Sequence, residues 1–150
     1  MRISPSFVAA VFALGATACT PSDKAPADST AATTATVAAP AVRIVSPADG
    51  DSVSLPFTVT LEAMGVEVVA ATGTSEPGKG HHHLIIDGDT PPDSLPLAAA
   101  PVVIHMGDAS TSRTLDSLSA GPHRIIAVFA GGDHVPMTTV KRDTITVIVR

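Results

Sequence analysis

The chain has 150 residues, with 9 Lys and Arg against 14 Asp and Glu and a formal net charge of −5. From Val42 onward, seven basic residues stand against twelve acidic ones, which excludes a basic patch for nucleic acid or for anionic lipid. Beyond residue 19 the only aromatic side chains are Phe57 and Phe129. A sugar-stacking platform or a tight protein interface anchored by Trp and Tyr is therefore not expected.

Residues 1–18 are typical of a secretory signal peptide. Arg2 supplies a positive charge, and residues 7–14 form an apolar stretch that is too short to span a bilayer permanently. The small residues that follow lead directly to the only cysteine, Cys19. We therefore expect export of the mature protein.

The segment Leu14-Gly15-Ala16-Thr17-Ala18-Cys19 resembles a bacterial lipobox. It predicts that Cys19 becomes the acylated N-terminus and binds the lipid bilayer. The alternative is cleavage at an Ala-x-Ala site that leaves Cys19 unmodified. A lone cysteine at the cleavage point has no disulfide role, which favours acylation. The residue after Cys19 is Thr20 and not an aspartate. In a host with two membranes, this resembles the signal for the outer membrane.

Residues 19–41 are predicted to be the acylated cysteine followed by a disordered linker. This segment is rich in Ala, Thr, Ser and Pro and cannot bury enough apolar surface to order itself. A flexible chain of this length reaches roughly 25 Å. Residues 42–150 are the right length for one domain with one core.

Short apolar segments in this domain alternate or are β-branched, and Pro, Gly and Asp clusters separate them. No window shows a capped helical period. The pattern predicts an all-β domain, an immunoglobulin-like antiparallel β-sandwich of seven or eight strands. We expect the proline-rich loop 88–101 to cross between the sheets. The predicted strands are 42–46, 57–62, 67–71, 82–87, 102–106, 112–118, 123–130 and 143–149.

Strand directions bring most of the six histidines to one end of this sandwich. If successive strands from residue 82 onward alternate in direction, then the start of 82–87 and the ends of 102–106 and 123–130 lie together. These places carry His81 to His83, His105 and His134. His123 is predicted at the opposite end.

Side-chain alternation selects a smaller set from these histidines. Leu84 and Ile86 mark the core face of their strand, and His82 shares that face. Val102, Ile104 and Met106 are expected to face the core, which turns His105 outward. We interpret His82 and His123 as structural. The candidate metal site consists of His81, His83, His105 and His134, with Asp108 and Asp133 in neighbouring loops.

Converging imidazoles suit zinc, copper or nickel. Met106 and Met137 lie beside His105 and His134 in sequence, and thioether ligands would favour cuprous copper. The alternative is that the histidines only cap strand ends. The chain has no Asn or Gln, so histidine is its only neutral planar group that both donates and accepts hydrogen bonds.

An enzyme is not expected from this pattern. A zinc hydrolase or lyase would need a positioned acid or base beside the metal-bound water. Asp108 or Asp133 could serve, but their spacing does not demand it. The sequence therefore indicates a non-catalytic domain of the bacterial cell envelope that binds copper or zinc. The alternative is a structural or protein-interaction module, whose protein partner the sequence does not identify.

The histidine motifs resemble those of the bacterial family called domain of unknown function 4399. The resemblance covers most of residues 42–150 and implies an exported single-domain protein. After His105 the family pattern usually continues Phe-Gly-Gly-Gly, whereas this chain has Met106-Gly107-Asp108-Ala109. The matching segments are Ser46-Pro47-Ala48-Asp49-Gly50, Pro77-Gly78-Lys79-Gly80-His81-His82-His83-Leu84-Ile85-Ile86-Asp87, His105-Met106-Gly107, Gly121-Pro122-His123 and Asp133-His134-Val135-Pro136.

Overall fold

The computed structural model describes residues 38–150, and in this part of the chain the alternating segments form nine strands and no helix. The strands are β1 (Ala41–Ser46), β2 (Ser52–Val53), β3 (Phe57–Met64), β4 (Glu67–Val68), β5 (Lys79–Ile86), β6 (Val103–Met106), β7 (Ser112–Leu115), β8 (Gly121–Ala130) and β9 (Asp143–Val149). Each predicted segment overlaps one of them, and the two-residue β2 is additional. The all-β prediction is confirmed.

The strands divide into two sheets. One sheet has the order β1-β3-β7, and the other has the order β2-β9-β8-β5-β4, with β6 also paired to β5. Among the seven longer strands, the first, second and fifth share one sheet, while the third, sixth and seventh share the other. This division is that of an immunoglobulin-like sandwich, with the fourth strand added beside the third.

Alternating side chains fill the space between the sheets. In β9, Ile145, Val147 and Val149 are buried, whereas Thr144 and Thr146 are exposed. Burying each such aliphatic side chain contributes about 1.5–3 kcal/mol. The main core also contains residues from β1, β3, β5, β6, β7 and β8, namely Val42, Ile44, Val59, Leu61, Leu84, Ile86, Met106, Leu115, Ile125, Ala127 and Phe129.

The part of the outer face of the six-stranded sheet that β5 and β8 form is buried as well. The loop of residues 88–101 folds back over this face, and its Leu97 packs with Ile85, Val128 and Ala130. The prediction that this loop crosses between the sheets is therefore wrong, because β5 and β6 are neighbours in one sheet. The loop instead covers apolar side chains that β5 and β8 direct away from the main core.

The first strand is joined to the segment before β9. β1 starts at Ala41, and the carbonyl of Pro40 accepts a hydrogen bond from the backbone N–H of Lys141 at 2.9 Å. The predicted signal peptide, Cys19 and most of the linker lie outside the described residues. Between residues 38 and 150, no helix is long and apolar enough to cross a membrane.

Candidate metal centre

Two paired strands position three of the candidate ligands. His81 and His83 are two residues apart in β5, so their side chains leave the same face of the strand. In the antiparallel pairing of β5 with β6, His83 lies directly opposite His105. All three imidazoles therefore stand on the outer face of the six-stranded sheet.

His134 reaches the same place from a turn after β8. Its backbone N–H donates to the carbonyl of Gly131 at 2.9 Å, which closes the turn. The φ angle of His134 is 67°, in the left-handed region that few side chains other than Asn, Asp and His adopt readily. Local contacts must maintain this conformation. It brings a fourth imidazole next to the three that β5 and β6 carry.

The Nε2 atoms of these four residues converge. His83 Nε2 lies 3.0 Å from His81 Nε2, and His105 Nε2 lies 3.2 Å from His81 Nε2. His134 Nε2 is 3.1 Å from His105 Nε2. One ligand atom from each of the four residues can be chosen so that all lie within 4.8 Å of one another. We call His81, His83, His105 and His134 the histidine cluster.

These spacings can be compared with a metal's coordination shell. Zinc–nitrogen bonds are about 2.0–2.1 Å long, so adjacent ligand atoms of a zinc tetrahedron are about 3.3–3.4 Å apart. The three short separations in the histidine cluster are within 0.4 Å of that edge. Small rotations of the rings would place four nitrogens around one ion.

Burial keeps the imidazoles in the form that binds metals. His81 and His83 are 0% and 1% exposed. Burial, together with a smaller effect of the neighbouring imidazoles, lowers the pKa of His81 to about 4 and that of His83 to about 3. Burial, followed by the proximity of His134, also lowers the pKa of His105. These three rings are neutral at pH 7, and each offers a lone pair.

The two predicted acidic neighbours lie near the cluster but face their own loops. Asp108 Oδ1 accepts a hydrogen bond from the N–H of Ser110 at 3.1 Å, and Asp133 Oδ1 accepts one from Val135 at 3.2 Å. The charge of Asp133 raises the pKa of His81, and that of Asp108 raises the pKa of His105, against the larger effect of burial. Both carboxylates therefore make the surroundings of the cluster more negative.

The two methionines lie in the main core. Met106 is buried there, and Met137 packs against the same set of side chains. Neither thioether shares the outer face of the sheet with the imidazoles. Val102, which was predicted to face the core, is 39% exposed because β6 begins one residue later.

The remaining two histidines lie apart from the cluster. His82 points into the main core, with its ring 5.4 Å from that of Phe129. His123 lies near the start of β8, beside the end of β5 that is far from the cluster. Its Nδ1 is 2.6 Å from Asp87 Oδ2, and its Nε2 is 2.8 Å from the carbonyl oxygen of Ser119. Because Nε2 faces a carbonyl, it carries a proton, so Ser119 and His123 do not form a nucleophile–base pair.

Sequence reasoning missed the wall of residues beside the cluster. Pro96, Leu97, Ala99 and Val103 border a cavity of about 280 Å³ together with His105 and His134. The only signal was the apolar Leu95-Pro96-Leu97 segment within a long, proline-rich loop. Apolar side chains in a long loop indicate that the loop covers a surface.

All six histidines lie in a segment that matches a known protein family. The family model of a domain of unknown function, DUF4399, matches residues 59–150. None of the curated proteins matches the chain in sequence.

Two solved structures resemble the domain at low identity. The crystal structure of an engineered protein is 18% identical with a TM-score of 0.44, and the match covers 76% of this chain and 21% of that chain. Fibronectin(III)-like modules of Clostridium thermocellum CbhA are 13% identical with a TM-score of 0.44, and the match covers 73% of this chain and 96% of that chain. The chain thus spans about a fifth of the engineered protein's length.

Proposed function

The chain belongs to the DUF4399 family, and we propose that its domain is a non-catalytic module that binds a transition metal in the bacterial cell envelope. The ligands are the imidazole Nε2 atoms of His81, His83, His105 and His134. The observation that carries the proposal is the convergence of these four nitrogens on one point.

Hydrogen bonding alone accounts poorly for this convergence. A neutral imidazole nitrogen either donates one proton or accepts through one lone pair. His81 Nε2 and His105 Nε2 each contact two other Nε2 atoms, so each of these two nitrogens would have to serve two partners with a single proton or lone pair. A cation at the centre would accept all four lone pairs at once.

The donor set favours a divalent ion. Four neutral imidazoles suit Zn²⁺ and Cu²⁺, whereas cuprous copper prefers the thioethers that lie here in the main core. Asp108 and Asp133 add negative charge nearby, which favours a cation. Copper and zinc are therefore the metals we propose.

The surroundings of the cluster support binding rather than catalysis. A metal hydrolase needs an acid or base that can reach the metal-bound water. The nearest candidates, Asp108 and Asp133, accept hydrogen bonds from backbone N–H groups of their own loops. We therefore propose no reaction for this site.

Affinity is expected to be moderate. Metal-binding histidines usually donate their second N–H to a carboxylate or carbonyl, and losing that partner costs about 10–100-fold in affinity. Among residues 38–150, the buried Nδ1 atoms of His81 and His83 have no hydrogen-bond partner. Because these two hydrogen bonds are missing, we expect the site to bind zinc more weakly than a site in which both ligands make them.

Calorimetric titration of Zn²⁺ and Cu²⁺ into the purified, untagged protein tests the proposal. We expect one ion per chain, with binding lost in a His105→Ala/His134→Asn double variant. His123→Gln is the matched control, because it removes a histidine of β8 that lies at the opposite end of the sheet from the cluster and should leave binding unchanged. Absence of binding by the folded wild type would overturn the proposal and leave the histidines as polar groups at strand ends.

We also propose that acylated Cys19 holds the domain on a membrane. The support is the Leu14–Cys19 lipobox and the lack of a second cysteine. Fractionation of cells that express the protein should find it with the membranes, and Cys19→Ser should abolish labelling by radioactive palmitate. Equal labelling of the variant would exclude Cys19 as the anchor.

A further inference from the structure

A cavity adjoins the histidine cluster on the outer face of the six-stranded sheet. It measures about 280 Å³ and has two chemically different parts. One wall consists of the imidazoles of His105 and His134. The other walls are the apolar side chains of Pro96, Leu97, Ala99 and Val103.

The loop that supplies Pro96, Leu97 and Ala99 to these walls is attached to the histidine cluster. Leu97 is 5% exposed and packs on Ile85, Val128 and Ala130. Its backbone N–H donates to the carbonyl of His134 at 2.9 Å. The same contact therefore joins the cavity wall to the turn that carries the fourth imidazole.

We propose that this cavity binds a small, neutral molecule with an apolar body and one nitrogen or sulfur donor atom that binds the metal beside His105 and His134. The inference rests on the proposed function, because the donor atom needs a metal in the histidine cluster. The apolar walls would take up the body of the molecule.

The charge of the protein favours a neutral ligand over an anion. The chain carries a net charge of −5, and Asp108 and Asp133 lie close enough to the cluster to alter the pKa values of its imidazoles. A divalent ion held by neutral imidazoles would itself attract an anion, and the two carboxylates would oppose that attraction. An anion would also lose hydration against the apolar walls, whereas a neutral molecule would enter them without that loss.

A metal held by the four imidazoles could bind one further donor atom. His81, His83 and His105 are fixed by the β5–β6 pairing, whereas His134 is carried by a turn in a left-handed conformation. Zinc sites can expand to five ligands, and tetragonal copper accepts a further ligand. The volume is slightly below the range of drug-sized pockets, which suits a ligand of about ten non-hydrogen atoms.

Visible absorption of the Co²⁺-loaded protein provides the test, because its d–d bands change when a ligand joins the metal. The probes are 4-phenylimidazole, imidazole and toluene, which offer a donor with an apolar body, a donor alone and an apolar body alone. We expect 4-phenylimidazole to bind at least tenfold more tightly than imidazole. Toluene should not change the spectrum.

A matched pair of loop variants locates the binding. Ala99→Leu would place extra carbon atoms in the cavity and should weaken 4-phenylimidazole binding at least tenfold, without changing the affinity for Co²⁺. Ala98→Leu adds the same group at an exposed neighbour outside the cavity lining and should change neither affinity.

The outcomes separate this inference from the proposed function. Equal affinity for 4-phenylimidazole and imidazole, or full binding by Ala99→Leu, would overturn the cavity's role while the metal site stands. If Co²⁺ produced no d–d spectrum with the wild-type protein, the proposed function would fail, and this inference would fail with it.

Discussion

The imidazole ring of His105 lies against the backbone of Gly107, so closely that a β-carbon at position 107 would overlap the ring. The change Gly107→Ala should displace His105 from the histidine cluster while retaining all four imidazoles. Because the φ of Gly107 is not in the left-handed region, alanine adds no backbone strain there. We expect at least tenfold weaker binding of Zn²⁺ by calorimetry.

Gly88→Ala is the matched control for this change. A β-carbon at position 88 would also be crowded, by Ile85 and Val102, but at the end of β5 away from the cluster. It should lower the thermal midpoint without changing the affinity for Zn²⁺. Equal metal affinities for Gly107→Ala and the wild type would show that His105 does not bind the metal.

The left-handed backbone of His134 makes two substitutions at this position differ. Both His134→Ala and His134→Asn remove the imidazole and should weaken metal binding equally. Asn tolerates positive φ better than Ala does, so the Ala variant should be less stable by about 1 kcal/mol. Urea denaturation in the presence of a chelator measures this difference.

Equal stability of the two variants would indicate that the turn relaxes to an ordinary conformation once the imidazole is gone. Such a result would mean that contacts of the ring itself hold the backbone in its left-handed state.

His82 is a buried histidine whose removal should stabilise the protein. Both of its ring nitrogens are buried, and neither has a hydrogen-bond partner among the described residues. An unpaired buried polar group costs about 1–3 kcal/mol. A leucine side chain has a similar volume to that of histidine and would face the same apolar neighbours. His82→Leu should therefore raise the free energy of unfolding by about 1–2 kcal/mol.

Metal affinity provides the control for this variant, because His82 faces the main core and not the cluster. Zn²⁺ should bind His82→Leu as it binds the wild type. A lower urea midpoint for the variant would contradict the prediction.

The metal-free protein should lose stability as the pH falls below about 6.5. Burial lowers the folded-state pKa of His81 and His82 to about 4 and that of His83 to about 3. Between these values and about 6.5 the unfolded chain binds more protons, so acid favours unfolding. Each of the three groups lowers the free energy of unfolding by up to about 1.4 kcal/mol for each pH unit in this range. Urea midpoints measured at several pH values in a chelating buffer report this loss.

His123 acts in the opposite direction. Its hydrogen bond to Asp87 raises the pKa of His123, so this group adds stability that is complete below about 6.5 and is lost as the pH rises through its folded-state value. The same contact lowers the pKa of Asp87. Asp87→Asn should therefore be most destabilising between about pH 4 and 6.5. A wild-type stability that rises on acidification would show that His123 outweighs the three buried histidines.

Much of the candidate site could be predicted because it depends on two short-range regularities. Alternation along a strand separates His82 from His81 and His83, and antiparallel neighbours bring His105 to the same end. The same regularities predicted the all-β fold, because each strand of four residues or more follows a visible apolar pattern. The pairing of these strands then needs only the usual order of an immunoglobulin-like sandwich.

The outer layer could not be predicted in the same way. Leu97 packs on Ile85 but belongs to a loop without regular structure. No periodicity of the sequence specifies where such a loop lies. The left-handed φ of His134 and the crowding at Gly107 likewise depend on contacts between distant segments. These features decide the accessibility and shape of the histidine cluster.

The loop of residues 88–101 has a consequence for the rate at which the site loads. His81 and His83 lie beneath the surface, so an ion must approach past His105, His134 and the apolar segment around Leu97. Pro91, Pro92, Pro96 and Pro101 restrict the backbone of this loop, so it has few ways to open locally. We therefore expect a bound ion to exchange past the exposed His105, at a rate set by the strength of the metal–nitrogen bonds and not by movement of the loop.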